Sequence, residues 1–171
     1  MTSLRVVGMR SVFAAAACTF LTAGVRAGDD PKDLDKIPKP VMDSLKAKFP
    51  GAKIQKWTRE SENGKTVYDI EFKQKGRKTE ADIFEDGTIQ NFEREFDAKK
   101  LPKPVVEVVE KKYPKATMKE VMEITEIKEG KEIHGGFEIV LDTNAKKSVE
   151  LTVSKEGKVL EDSSTKKEEK K

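Results

Sequence analysis

The sequence predicts an α+β protein made of two tandem copies of one unit, a short helix followed by four antiparallel strands. Three observations support this: an internal repeat, an amphipathic segment opening each copy, and alternating runs separated by turn dipeptides. Ile37-Pro38-Lys39-Pro40-Val41 matches Leu101-Pro102-Lys103-Pro104-Val105, and Lys48-Phe49-Pro50-Gly51-Ala52 matches Lys112-Tyr113-Pro114-Lys115-Ala116. Further on, Tyr68, Ile70 and Phe72 match Phe137, Ile139 and Leu141, and Ile83 to Ile89 match Val153 to Val159. The offset grows along the unit, which places insertions in the second copy around Ile127 to Gly136 and near Asn144. The first copy spans residues 37–97 and the second 98–161.

Val41, Leu45 and Phe49 recur at helical spacing after an early Pro, as do Val105, Val109 and Tyr113. Pro50 and Pro114 disfavour helical geometry in the residue before them and end each helix. Strands are expected at Ile54 to Arg59, Thr66 to Lys73, Lys78 to Phe84 and Thr88 to Phe92, with turns at Asn63-Gly64, Lys75-Gly76 and Asp86-Gly87. The second copy repeats them at Met118 to Glu123, Phe137 to Asp142, Ser148 to Val153 and Lys158 to Leu160. Setting Val149 against Leu141, Leu151 against Ile139 and Val153 against Phe137 groups the apolar residues and leaves Asn144-Ala145-Lys146 as a loop. Tyr68, Ile70 and Phe72 then face the helix, while Asp69, Glu71 and Lys73 face away.

Residues 1–27 have the pattern of a secretory signal: Arg5 and Arg10, an apolar run from Ser11 to Val25, and a Val25-x-Ala27 cleavage site. Lipidation at Cys18 is disfavoured, because the apolar run continues beyond it. Export implies a periplasmic or secreted protein with no membrane span once the signal is removed. Cleavage takes away Arg5, Arg10 and Arg26 but no acid, leaving 31 basic against 31 acidic side chains. The basic pI therefore comes from the discarded segment and does not point to nucleic acid. The sole Cys goes with it, which leaves no disulfide and no cysteine metal site. Residues 28–36 and 162–171 are charged and aperiodic and are expected to be disordered.

Nothing in the pattern suggests an enzyme. The single His, His134, is expected in a loop, and neither Ser-x-x-Lys, Gly-x-Ser-x-Gly nor a phosphate-binding Gly loop occurs. Asp82 to Gly87 has apolar residues where a calcium loop needs oxygen ligands and reads as a hairpin turn. No cofactor is implied. Trp57, across from Ile70, is expected in the core.

One constellation is a candidate site. Two-residue turns at Asn63-Gly64 and Lys75-Gly76 put Glu71 opposite Glu80, Asp69 opposite Asp82, and Lys56 opposite Glu71 on the face away from the helix. Like charges directly opposite are destabilising, so these five residues are either a solvated face compensated by lysines or a candidate site for a basic partner or a cation, the last implying a cation-binding or sensory envelope protein. In the second copy Ser148, Val140, Glu150 and Thr152 are read in place of the quartet, which confines the site to the first copy.

The order I-P-x-x-V, a helix closing in K-F-P-G-A, a strand carrying Trp57, then Y-D-I-E-F and I-F-E-D-G-T-I resembles the PepSY-like domains of the β-lactamase-inhibitor-like family. The second copy keeps Y-P-K-A and F-E-I-V-L but has Val121 in place of Trp57. The resemblance implies that the two sheets join into one extended antiparallel sheet with the helices on one face. It also implies a non-catalytic binding module that grips an exported protein or enzyme through the exposed sheet face and its loops.

Overall fold

A computed structural model describes residues 33–143 and 147–165. The signal pattern, the 144–146 loop and the end of the charged tail lie outside the described residues. The chain runs α1 (Lys39–Lys48), β1 (Lys53–Glu62), β2 (Lys65–Gln74), β3 (Arg77–Phe84), β4 (Ile89–Glu95), α2 (Lys103–Lys112), β5 (Thr117–Lys128), β6 (Lys131–Asp142), β7 (Ser148–Val153) and β8 (Val159–Asp162). All eight strands form one antiparallel sheet in chain order. The two repeats join where β4 pairs with β5, from Asn91 opposite Glu126 to Glu95 opposite Met122. The sheet is therefore continuous, as the resemblance implies.

Each helix carries Pro in its first turn and ends at an aromatic residue, Phe49 or Tyr113, that has left helical geometry ahead of the next Pro. The buried stripe Val41, Leu45 and Phe49 packs on Tyr68, Ile70, Phe72, Ala81, Ile83 and Phe92. Val105 and Val109 pack on Val121, Phe137, Ile139, Leu141, Leu151 and Val153. Strand alternation carried through the β4–β5 seam puts both helices on the same face. Trp57 is half-buried at the edge of the first core, stacked on Tyr68 with ring centroids 6.1 Å apart.

The registers follow the sequence pattern. Lys56 pairs with Glu71 and Trp57 with Ile70; Asp69 pairs with Asp82 and Glu71 with Glu80; Leu151 pairs with Ile139. Asn63-Gly64 and Lys75-Gly76 take positive φ at both central residues, as the tightest hairpins require.

Three expectations are corrected. The insertion around residues 127–136 lengthens the β5–β6 hairpin, which turns at Glu129-Gly130, so His134 lies in a strand and not in a loop. Leu34–Lys36, within the segment expected to lack structure, forms a 3₁₀ turn, and Leu34 packs on the first core. Asp162, placed in the disordered tail by the sequence, ends β8 and is 6% exposed. Its carboxylate takes hydrogen bonds from the Tyr113 hydroxyl at 2.7 Å and from the Ser164 amide and hydroxyl, and it pairs with Lys112 at 2.8 Å. Burial alone would raise the pKa of Asp162, but these donors outweigh it and hold the pKa at about 2.

Candidate functional site

The face of the sheet opposite the helices carries the candidate site. Here β2 contributes Asp69 and Glu71, β3 Lys78, Glu80 and Asp82, and β4 Asn91 and Glu93. The second repeat adds Glu120, Met122 and Ile124 from β5 and Glu138 from β6. Regular alternation selects these positions, and the pairings align them in rows across the strands. One row runs Thr58, Asp69, Asp82, Asn91; the next runs Lys56, Glu71, Glu80, Glu93, Ile124.

No helix among the described residues packs on this face, yet its centre is buried. Asn91 is 3% exposed, Met122 2%, Ile124 3% and Glu93 8%. Long side chains on neighbouring strands of a twisted sheet cover one another. The carboxylates therefore sit in partly dry surroundings, and their proton affinities rise.

Burial pushes Asp69 up to about 7, with Asp82 and Glu80 adding to the shift and Lys56 opposing it. Asp82 is pushed up to about 6 by burial, against the amide of Asn91, which donates to it at 2.9 Å. Glu93 and Glu138 are both raised, first by burial and then by neighbouring carboxylates, Glu138 among those acting on Glu93. Lys78 lies 2.8 Å from both Glu80 and Glu120 and 3.9 Å from Glu71, tying the first repeat to the second. Burial lowers its affinity for a proton, but these carboxylates outweigh that effect and leave it above the usual lysine range.

All five residues named from the sequence lie on this one face, with Asp69, Asp82, Glu71 and Glu80 grouped as the register requires. The sequence reading missed Glu93, Asn91 and Lys78, and it missed the contribution of the second repeat. The repeat itself held the signal. Tyr68 and Ile70 match Phe137 and Ile139, so the intervening Asp69 matches Glu138, a carboxylate overlooked when the second copy was read as lacking the patch. Glu93 follows from carrying the alternation one strand further, past the Asp86-Gly87 turn. The apolar Met122 and Ile124 had no such signal, because a buried position on an uncovered face looks like a core position in sequence.

Among the described residues no three His, Cys, Asp or Glu side chains converge to hold a metal ion. His134 lies 3.3 Å from Glu123, its ring against Phe137 on the helix side and away from the acidic face. Among the described residues no helix is long and apolar enough to cross a membrane.

No protein of curated function matches the sequence. Crystal structures show the same fold at low identity. A BLIP-like protein from Bacteroides fragilis aligns with a TM-score of 0.51 at 20% identity, over 73% of this chain and 84% of that one. A structure from Bacteroides eggerthii described as "putative periplasmic proteins" reaches 0.57 at 17% identity, over 73% and 86%. A DUF2874 family protein from Bacteroides uniformis reaches 0.54 at 13%, over 73% and 87%. With a family model matching residues 31–91 and again 66–161, the chain belongs to the family described as "Putative beta-lactamase-inhibitor-like, PepSY-like".

Proposed function

We propose that this protein is an exported, non-catalytic binding module that docks a protein partner, an envelope or secreted enzyme, on the helix-free face of its sheet and thereby inhibits or regulates it. The observation that carries the reading is the acidic character of that face, where the half-buried Asp69, Glu71, Glu80, Asp82, Glu120 and Glu138 gather around Lys78 with no described helix over them. A face of one sign of charge complements a partner of the other and steers and orients its docking. The leader pattern of residues 1–27 supports export, and the family description supports inhibition as the outcome of docking.

Site-specific photo-crosslinking tests the docking face. A photoreactive residue at Glu126, on the sheet face beside Asn91, is expected to capture a defined envelope protein that one at Lys46, on the exposed side of α1, does not. Capture from Lys46 alone would move the interface to the helices and refute the reading. Export is checked separately by N-terminal sequencing of the mature protein, which is expected to begin at Gly28.

A further inference from the structure

We propose that Glu93 is the acceptor for a cationic side chain, best an arginine, presented by the protein partner. The proposal rests on the docking reading above and names the chemistry at its centre. Glu93 is more than nine-tenths buried, and among the described residues its carboxylate has no hydrogen bond or ion pair. Its register neighbours are Glu80 on one side and Ile124 on the other, so neither residue directly across from it supplies a counter-charge.

The groups that could neutralise it are already engaged. Lys78 is held by Glu80, Glu120 and Glu71, and the Asn91 amide is given to Asp82. Arg94, the next residue along β4, points to the opposite face and lies over the rings of Phe92 and Phe49. Elsewhere on this face Thr58 Oγ1, across from Asp69, is a buried oxygen with no hydrogen-bond partner. A carboxylate held in a largely buried position beside like charges costs the fold free energy, and such a cost persists where a ligand removes it.

The surroundings select the ligand class. Glu93 lies in the row of Glu71 and Glu80, so a side chain that reaches it meets carboxylates on the way, and a long cationic one is selected. A guanidinium can meet two carboxylates at once through its planar donors, and Glu80 stands directly across from Glu93. The acidic character of the whole face adds complementarity for a basic segment.

The test uses the full chain and a short peptide with one central arginine, beside the same peptide carrying citrulline, which has the same shape without the charge. NMR titration is expected to give saturable shifts at Glu93, Met122 and Ile124 with the arginine peptide and none with the citrulline one. Glu93→Gln is expected to weaken the response by about tenfold or more, while Asp43→Asn, on the exposed side of α1, leaves it intact. Equal shifts from both peptides, or a response indifferent to Glu93→Gln, would overturn the assignment. So would a response seen only after deleting residues 166–171, because the lysines of the chain's own tail would then be the occupant. Thermal melting checks the premise: Glu93→Gln is expected to raise Tm at pH 8, and a lower Tm would show an internal partner and end the proposal. Cross-linking on the sheet face with no arginine response removes this inference and leaves the docking reading standing. An arginine response with no cross-link on that face removes the docking reading instead.

Discussion

At the scale of single residues, the two repeats solve one packing position in two ways. Phe92 packs edge-on against Phe49 at 5.3 Å in the first repeat. The matching positions of the second are Asp162 and Tyr113, joined by a hydrogen bond of 2.7 Å. Phe92 lies on a central strand and Asp162 on the last one, beside Lys112 and Ser164, where a carboxylate finds donors. Asp162→Asn is expected to lower stability by about 1–3 kcal/mol, measured by urea unfolding with an unchanged m-value. Because its folded pKa is depressed, this contribution is present above pH 4 and is lost as the pH falls towards 2. The sequence could not show the pair. Tyr113 was legible as a core position through its match to Phe49, but Asp162 stands at the start of a charged run that resembles tail until β8 is placed.

Among the elements, the β3–β4 and β7–β8 turns fix the helices to the sheet. Gly87 has φ +88°, and a Cβ there would lie 2.8 Å from the Pro40 carbonyl oxygen; Gly157 has φ +84°, with the Pro104 carbonyl at 2.7 Å. Gly76 has a similar φ of +82° but open space around it. Gly87→Ala and Gly157→Ala are each expected to cost about 2–4 kcal/mol, combining backbone strain with overpacking, against about 1 kcal/mol for Gly76→Ala. Thermal or urea melts of the three variants separate the two effects. The Asp-Gly turn was legible in the sequence as a hairpin signal, but its contact with the first turn of the helix was not, since it depends on tertiary approach. The β5–β6 hairpin was underestimated for a related reason. Its turn, Glu129-Gly130, lies inside what looked like an insertion, and the extra length reaches back to the first repeat, where Glu132 pairs with Lys48 and Ile127 joins the first core.

For the molecule as a whole, the acidic face makes stability depend on pH in an unusual direction. Asp69 and Asp82 titrate near 7 and 6 when folded, and Glu93 and Glu138 are also raised. The folded state therefore binds more protons than the unfolded one between about pH 4 and 7, so stability is lost as the pH rises through that window. Melting temperature is expected to be higher at pH 5 than at pH 8, and added salt should recover part of the difference at pH 8 by screening the like charges. A melting temperature that rises steadily from pH 5 to pH 8 would contradict this account. Lys78→Met, which removes the cation shared by Glu71, Glu80 and Glu120, is expected to destabilise more at pH 8 than at pH 5 in the same melts. The architecture was legible because the repeat, the turns and the alternation all specify the same registers. The extent of the site was less so, because strand pairing across the seam brings Glu93 and Glu138 under each other's influence, and no local pattern reports that seam.

Strand order that follows chain order also bears on how the protein is made. Every strand pairs with its immediate predecessor, so most contacts are local in sequence and the entropy of closing long loops is largely avoided. The first repeat can condense before the second has emerged, and β4 then stands as a bare edge from Ile89 to Glu95 until β5 arrives. That interval is when the nascent chain is most open to pairing with a second copy of itself, and closure of the seam ends it.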